Sequence, residues 1–230
     1  MKKCQYFTLV ELLVVIGIIV LLAGLLLPVV INAQQKGRIT QAKADMATIL
    51  TALKGVENTY NRMVNPDKEF GGKKALEKEK DGHNVKVIQL GGNLAAEDDA
   101  DNTISYNGAY DYFIAELTDP SNDKVFTSNA KVNVNTRKIK FLDPKTKYDP
   151  TKGVADNLKE LWRDPWGNRY VILINTDFSD QIKLKHPANT SKTLAAKAII
   201  YSWGPNGKPD DGANELYGGD QGTDDVTSWD

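Results

Sequence analysis

The chain has 230 residues, 29 of them Lys or Arg and 30 Asp or Glu, for a formal net charge of −1. That balance argues against an electrostatic nucleic-acid binder, which carries a basic footprint, so no nucleic-acid partner is expected. Cysteine occurs once, as Cys4, and the chain therefore holds no pair from which to make its own disulfide.

Residues 7–31 form an apolar stretch broken by one ionisable side chain, Glu11. Within it, residues 12–31 are twenty consecutive positions without a charge. At about 1.5 Å per residue, a helix of that length spans the roughly 30 Å of a bilayer's hydrocarbon core. Lys2 and Lys3 precede the stretch, and the positive-inside rule puts them in the cytoplasm and everything after Ile31 on the far side. A carboxylate in such a segment costs on the order of 3 kcal/mol and is a functional residue by default. The bland alternative is a Glu11 that snorkels to headgroup level. An ordinary signal peptide fits poorly: its apolar region is about 7–15 residues long and ends in a small-residue cleavage site. Ile31-Asn32-Ala33 is a weak imitation of that site. A plain signal anchor explains the length and the lysines, but not Glu11.

The helical pattern continues past the apolar stretch. Ile39, Ala42, Met46, Ile49, Leu53, Val56 and Tyr60 follow at spacings of 3, 4, 3, 4, 3 and 4, a single core-facing stripe. Lys36, Arg38, Lys43, Asp45 and Lys54 lie mostly off it, and Pro66 is the expected stop. The spacing thus predicts one helix of about fifty residues, with residues 7–31 in the membrane and residues 32–64 amphipathic. Gly24, Pro28 and Gly37 are its points of bending or local unwinding.

Residues 65–160 read as a variable region. The part between 67 and 102 is polar and glycine-rich, with a charge run that reads as solvated surface and a short strand at residues 85–90. Tyr110, Phe113, Ile114 and Leu117 mark a short amphipathic helix, and residues 138–142 a strand. Residues 161–230 then carry Asp164-Pro165-Trp166-Gly167-Asn168, a tight turn in which Pro fixes φ and Gly supplies the awkward conformation. Trp166 reads as a buried aromatic closing the sheet. Two β-rich apolar runs follow, at residues 170–174 and 198–203. Laid over the helical stripe, they predict an α+β fold: a long N-terminal helix packed on a small antiparallel sheet.

After Trp203 the chain is crowded with acid. Asp210, Asp211, Glu215, Asp220, Asp224 and Asp225 fall in sixteen residues rich in glycine. Hard cations such as Ca²⁺ take six to eight oxygen ligands from carboxylates and carbonyls, and glycine lets carbonyls turn inward. An EF-hand is excluded, because counting back from Gly212 puts its acidic positions on Gly207 and Pro209. Composition leaves a cation loop and a solvated acidic tail both open. No G-x-S-x-G, H-E-x-x-H or P-loop occurs, and the two histidines, His83 and His186, lack partner motifs, so no enzyme is expected.

Phe7-Thr8-Leu9-Val10-Glu11, with the apolar run behind it, resembles the N-terminus of type IV pilins and type II secretion pseudopilins. The resemblance implies a leader of residues 1–6, cut between Tyr6 and Phe7 by a prepilin peptidase that also methylates the new amine. Pro28 stands where many of these proteins carry a helix-kinking proline, whereas Tyr6 departs from the Gly usual before the cut. After that cut, a neighbour's Phe7 amine can neutralise Glu11 in a staggered assembly, which would select assembled subunits and fix their register. The Asp164-Pro165-Trp166-Gly167 turn before a strand, and the lack of cysteine after residue 6, resemble the major pseudopilin more than true pilins with their C-terminal disulfide loop. The string Asn135, Arg137, Phe141 and Leu142 weakly resembles another feature of that group. Ser202, Gly204, Asn206, Gly207, Gly222, Asp224, Asp225 and Trp229 match its calcium loop. The resemblance makes Asp224 and Asp225 the leading Ca²⁺ carboxylates. Asp210, Asp211 and Asp220 are further candidates in a run longer than the family usually shows.

It covers residues 1–62 and 160–230 and implies a non-enzymatic structural subunit of a short periplasmic filament for protein secretion. The implied setting is the bacterial inner membrane, crossed once, with the C-terminal domain periplasmic. The implied partners are further copies of itself, other pseudopilins, the prepilin peptidase and methyltransferase, and an inner-membrane secretion platform. Two other functions stay open: a type IV pilin or minor pilin for adhesion, motility or DNA uptake, and a monomeric membrane-anchored domain that uses the acidic loop for a ligand.

Overall fold

The computed structural model describes residues 9–63, 87–91, 106–120, 135–143, 145, 162–175, 179–185, 191–207 and 225–229. The chain divides into two compact units, Met1–Thr40 and Gln41–Asp230. Helix α1, Leu9–Tyr60, runs without interruption through Gly24, Pro28 and Gly37. In the first unit its side chains are exposed throughout, Leu12, Ile16, Ile19 and Leu27 among them, and this stretch is long and apolar enough to cross a membrane. In the second unit α1 buries Ala42, Met46, Ile49, Ala52, Leu53 and Val56. The predicted stripe is therefore the core face over its middle, while Ile39 stays on the surface and Tyr60 is half-buried. Thr48 and Thr51, β-branched residues off the stripe, each return a hydroxyl to the carbonyl four residues back, at 2.9 and 2.8 Å.

The helix stops at Tyr60, short of Pro66. Asn61 adopts φ 61° and donates its N–H to the Glu57 carbonyl at 2.7 Å, the left-handed C-terminal cap that asparagine tolerates. Helix α2, Tyr106–Thr118, buries Tyr110, Phe113, Ile114 and Leu117, as the sequence predicts. The strand expected at 138–142 is absent. Lys138 takes φ 53°, and the N–H groups of Phe141 and Leu142 both donate to the Leu117 carbonyl at 3.0 Å. The orphan carbonyl at the end of α2 claims those donors, so this segment wraps the helix terminus instead of entering a sheet. Asn135, 1 % exposed, organises the wrap: its Oδ1 accepts from the Ile139 N–H and the Tyr60 hydroxyl, both at 2.9 Å, and its amide donates to the Glu116 carbonyl. Phe141 meets the Tyr60 ring edge-on, and the Arg137 guanidinium lies 5.6 Å above that ring.

Among the described residues, four strands form an antiparallel sheet in the order β1-β2-β5-β6, with β1 Val87–Leu90, β2 Val171–Asn175, β5 Ala198–Ser202 and β6 Val226–Thr227. β2 and β5 are the two predicted apolar runs, and they pair directly, Ile172 opposite Ile200. Ile172, Ile174, Ala198 and Ile200 join the core with α1 and α2, while Val171, Leu173, Ile199 and Tyr201 point to the other face. That second face is covered as well. A two-stranded ribbon of β3, Ile182–Lys185, and β4, Ser191–Leu194, sets Ile182 and Leu194 against it, joined by Trp203 and Trp229. The architecture is α+β.

Charged groups tie the layers together. Asp111 of α2, with its side chain 3 % exposed, accepts Arg169 through both oxygens, at 3.0 and 2.6 Å, and Arg163 at 3.0 Å. Burial pulls the Arg163 guanidinium below its ordinary value, and Asp111 opposes that pull. Asp45, which the sequence pattern leaves on the solvent side of α1, instead receives Lys145 at 2.6 Å and the Tyr170 hydroxyl at 3.0 Å. Burial pushes the Tyr170 hydroxyl up, and Asp45 adds to the shift.

Gly91 closes β1 over Tyr170 with φ +81°, and a Cβ there would stand 2.0 Å from the Tyr170 carbonyl oxygen. Gly167 has φ +96° but open space around it. Gly167→Ala should therefore cost only the left-handed backbone penalty of about 1–2 kcal/mol. Gly91→Ala adds a backbone collision and should cost about 3 kcal/mol or more. Urea unfolding of the detergent-solubilised chain checks the order, and equal midpoints for the two variants would contradict it.

Candidate functional site

The candidate site is the C-terminal segment and what holds it. β5 ends at Ser202, and Trp203 leads into a short 3₁₀ turn, Gly204–Asn206, in which Pro205 supplies a preset φ. Gly207, at φ 64°, ends the turn with its N–H on the Gly204 carbonyl. The chain returns at Asp225 and re-enters the sheet as β6, with Val226 opposite Ser202 and Thr227 opposite Tyr201. Ser228 completes the return: its N–H donates to the Ile200 carbonyl and its Oγ accepts the Ile200 N–H, both at 3.0 Å. Both ends of the acidic segment are thus anchored beside the same strand.

The Asp164-Pro165-Trp166-Gly167-Asn168 turn is present as predicted, bracketed by a bridge between Arg163 and Arg169. Asp164 Oδ1 accepts the N–H groups of Trp166 and Asn168 at 3.1 and 2.7 Å, and its Oδ2 accepts the Ser202 hydroxyl at 2.6 Å. Asp164 is 4 % exposed and Ser202 fully buried. Ser202 Oγ in turn accepts the Gly204 N–H at 3.1 Å, and the Asn168 amide donates to the Gly204 carbonyl at 3.3 Å. Trp166 is only half-buried. The large aromatic enclosed here is Trp162, whose indole donates to the Asp143 carbonyl at 3.0 Å. The reason is positional: Pro165 and Trp166 are the outer corner of the turn, whereas Trp162 precedes it and packs inward.

Of the residues the sequence singles out, Glu11 stands in the first turn of α1 and Pro28 inside it. Tyr6, Phe7, Asp210, Asp211, Asp220 and Asp224 lie outside the described residues. Asp225 is described, and both of its carboxylate oxygens are shielded from solvent. The indole N–H groups of Trp203 and Trp229, one at each end of the acidic segment, are also buried and have no hydrogen-bond acceptor among the described residues. Among those residues there is no cluster of three His, Cys, Asp or Glu side chains of the kind that holds a metal ion. A groove of about 690 Å³ runs beside α1, lined by Thr48, Phe141, Lys145 and Trp162 among others, and its Asp45 and Lys145 are already paired with each other. Sequence reasoning missed the roles of Asp164, Asn168 and Ser202 in gripping the C-terminal segment. The signals were an Asp at the head of a turn, a residue type that bonds the backbone two positions on, and the place of Ser202 in the resemblance, neither of which shows that the two side chains meet.

No protein-family model, curated protein or solved structure matches the chain.

Asp164→Ala should destabilise the chain by about 2–3 kcal/mol, because it strands the buried Ser202 hydroxyl, at about 1–3 kcal/mol, and two part-buried N–H groups that water can partly satisfy. Asp164→Asn keeps an acceptor for the turn and should cost less. Thermal unfolding in detergent reads both, and an Asp164→Ala chain as stable as the parent would show that water replaces the carboxylate.

Proposed function

We propose that the protein is a structural pseudopilin: a single-pass bacterial inner-membrane subunit that assembles into a periplasmic filament of the type II secretion kind. It acts through assembly and not through catalysis. The supporting observation is the exposed apolar half of α1, with Glu11 in its first turn, in one uninterrupted helix with a buried stripe. A simple anchor needs the apolar half but has no use for a carboxylate in it. In a filament, removal of residues 1–6 frees the Phe7 amine, and Glu11 of one copy neutralises that amine on the next. The leader peptidase and methyltransferase, other pseudopilins and the inner-membrane platform are its further partners in this reading.

Co-expression with a prepilin peptidase should shorten the chain by residues 1–6 and add one methyl group, read by intact mass. Glu11→Leu removes a charge from lipid and should leave membrane insertion intact. Cysteine crosslinking between neighbouring copies should fall sharply, since breaking a desolvated pair costs about 3–5 kcal/mol. Undiminished crosslinking in Glu11→Leu would refute the pairing, and an unprocessed chain would leave a plain anchor.

The second part of the proposal is that the C-terminal segment binds Ca²⁺. The donor chemistry fits. The segment carries six carboxylates in sixteen residues rich in glycine, oxygen donors of the kind a hard cation takes, and β5 with β6 brings its two ends together. Asp224 and Asp225 would hold the ion with carbonyls from the end of β5, and Asp210, Asp211 and Asp220 are the further candidates. The ion would neutralise mutually repelling carboxylates and restrain a glycine-rich segment that has much entropy to lose. A ligand that binds the folded chain alone stabilises it by about 2.7 kcal/mol at a hundredfold excess over Kd. Millimolar calcium should therefore raise the melting temperature by several degrees over chelator, and Asp224→Ala or Asp225→Ala should abolish most of the rise. A melting temperature that ignores calcium would mean a solvated acidic tail.

A further inference from the structure

The apolar part of α1 ends abruptly. After Ile31 the chain reads Asn32-Ala33-Gln34-Gln35-Lys36-Gly37-Arg38, and both cations lie in the first compact unit, exposed on the helix. A Cβ added at Gly37, between them, would meet nothing within 4 Å. No Asp or Glu occurs between Glu11 and Asp45, so neither cation has a carboxylate three or four residues away on the helix. No Phe, Tyr or Trp occurs between Phe7 and Tyr60, so this end of the apolar stretch lacks the aromatic anchors that hold a spanning helix at the membrane surface. Lys36 and Arg38 also stand on the side opposite Lys2 and Lys3, where the positive-inside rule calls for no charge.

Geometry selects what meets them. Their Cα atoms lie about 8 and 11 Å beyond Ile31 along the axis, at about 1.5 Å per residue. The headgroup zone adds roughly 5–7 Å to each side of the hydrocarbon core, and helical side chains lean toward the N-terminus, here back toward the bilayer. The long Lys and Arg stems cover the difference. Two positions apart at about 3.6 residues per turn, the pair projects from opposite sides of the helix. One docked protein surface would meet one of the two, whereas a headgroup layer surrounds the helix and meets both.

We propose that Lys36 and Arg38 form a collar that binds anionic phospholipid headgroups and fixes the depth of α1 in the bilayer. Both donate to phosphate oxygens, Arg38 with a planar fork and Lys36 as a point charge. The collar rests on the reading of α1 as membrane-spanning and needs no filament.

The test uses the full chain in nanodiscs of mixed phosphatidylglycerol and phosphatidylcholine, with the lipid retained on release counted by native mass spectrometry. The parent should retain phosphatidylglycerol preferentially. Lys36→Gln and Arg38→Gln should each cut that preference about fivefold, the worth of one juxtamembrane charge at an anionic surface, and together more than about tenfold. Glutamine keeps helix propensity, so these exposed variants insert as the parent does. Lys54→Gln, an exposed lysine in the amphipathic half of α1, should leave the preference intact. A parent without preference for phosphatidylglycerol overturns the collar, as does a preference removed only by Lys2→Gln with Lys3→Gln. A chain that does not enter the nanodisc at all fails the membrane-spanning reading and takes the collar with it.

Discussion

Every residue of β5 is buried, as are the first four of β2, so the sheet has two apolar faces to hide. A helix can cover only one of them. α1 and α2 take the face carrying Ile172, Ile174 and Ile200, which leaves Val171, Leu173, Ile199 and Tyr201 to be covered by something else. At about 1.5–3 kcal/mol for each fully buried side chain, exposing that second face would consume most of a typical domain's margin. The β3–β4 ribbon and the returning C-terminal residues are the parts of the chain that answer this need. The ribbon contributes Ile182 and Leu194, and the return contributes Trp229, packed edge-on against Tyr201 at 6.2 Å. The course of the chain after β2 follows from that requirement.

Polar groups wholly or partly buried by this arrangement are handled by three aspartates, each joining segments distant in sequence. Asp45 ties α1 to Lys145 and Tyr170, Asp111 ties α2 to Arg163 and Arg169, and Asp164 ties its turn to Ser202. Buried ion pairs contribute little net stability over an apolar alternative, but they are unforgiving of a missing partner. Their effect here is on geometry. Asp111 fixes α2 against the arms of the turn, and Asp164 fixes the turn against the end of β5. A displacement at α2 would therefore be felt at the start of the C-terminal segment.

The apolar stretch, the stripe through Met46, Ile49 and Leu53, the short helix around Phe113 and the two core strands were all legible, because each rests on local periodicity or a continuous apolar run. The ribbon was not. Ile182-Lys183-Leu184-Lys185 alternates as a strand does but over four residues only, and Ser191–Leu194 holds a single apolar residue, so what selects the ribbon is the uncovered face beneath, a tertiary cause. The strand expected at 138–142 failed for the converse reason: its residue types suit a sheet, but the Leu117 carbonyl offered its N–H groups a nearer partner. Asp45 and Asp164 are side chains whose roles depend on residues 100 and 38 positions away, and no local window holds that information. Of the candidate site, the sequence supplied the acidic composition and the turn. The grip between them is visible only in the fold.

The two ends of the molecule pose the same electrostatic problem in different solvents. Glu11 is one carboxylate in an apolar helix long enough to cross a membrane, where lipid would not hydrate it. The C-terminal segment gathers six carboxylates in sixteen residues, where like charges repel one another. In the proposed function each meets a positive partner: an amine from a neighbouring copy in one case, a divalent cation in the other. On that proposal, neutralising these charges on assembly and on cation binding would favour the assembled, cation-loaded state. The same physical argument therefore supports both halves of the proposed function, although each is tested by its own experiment and either can fail without the other.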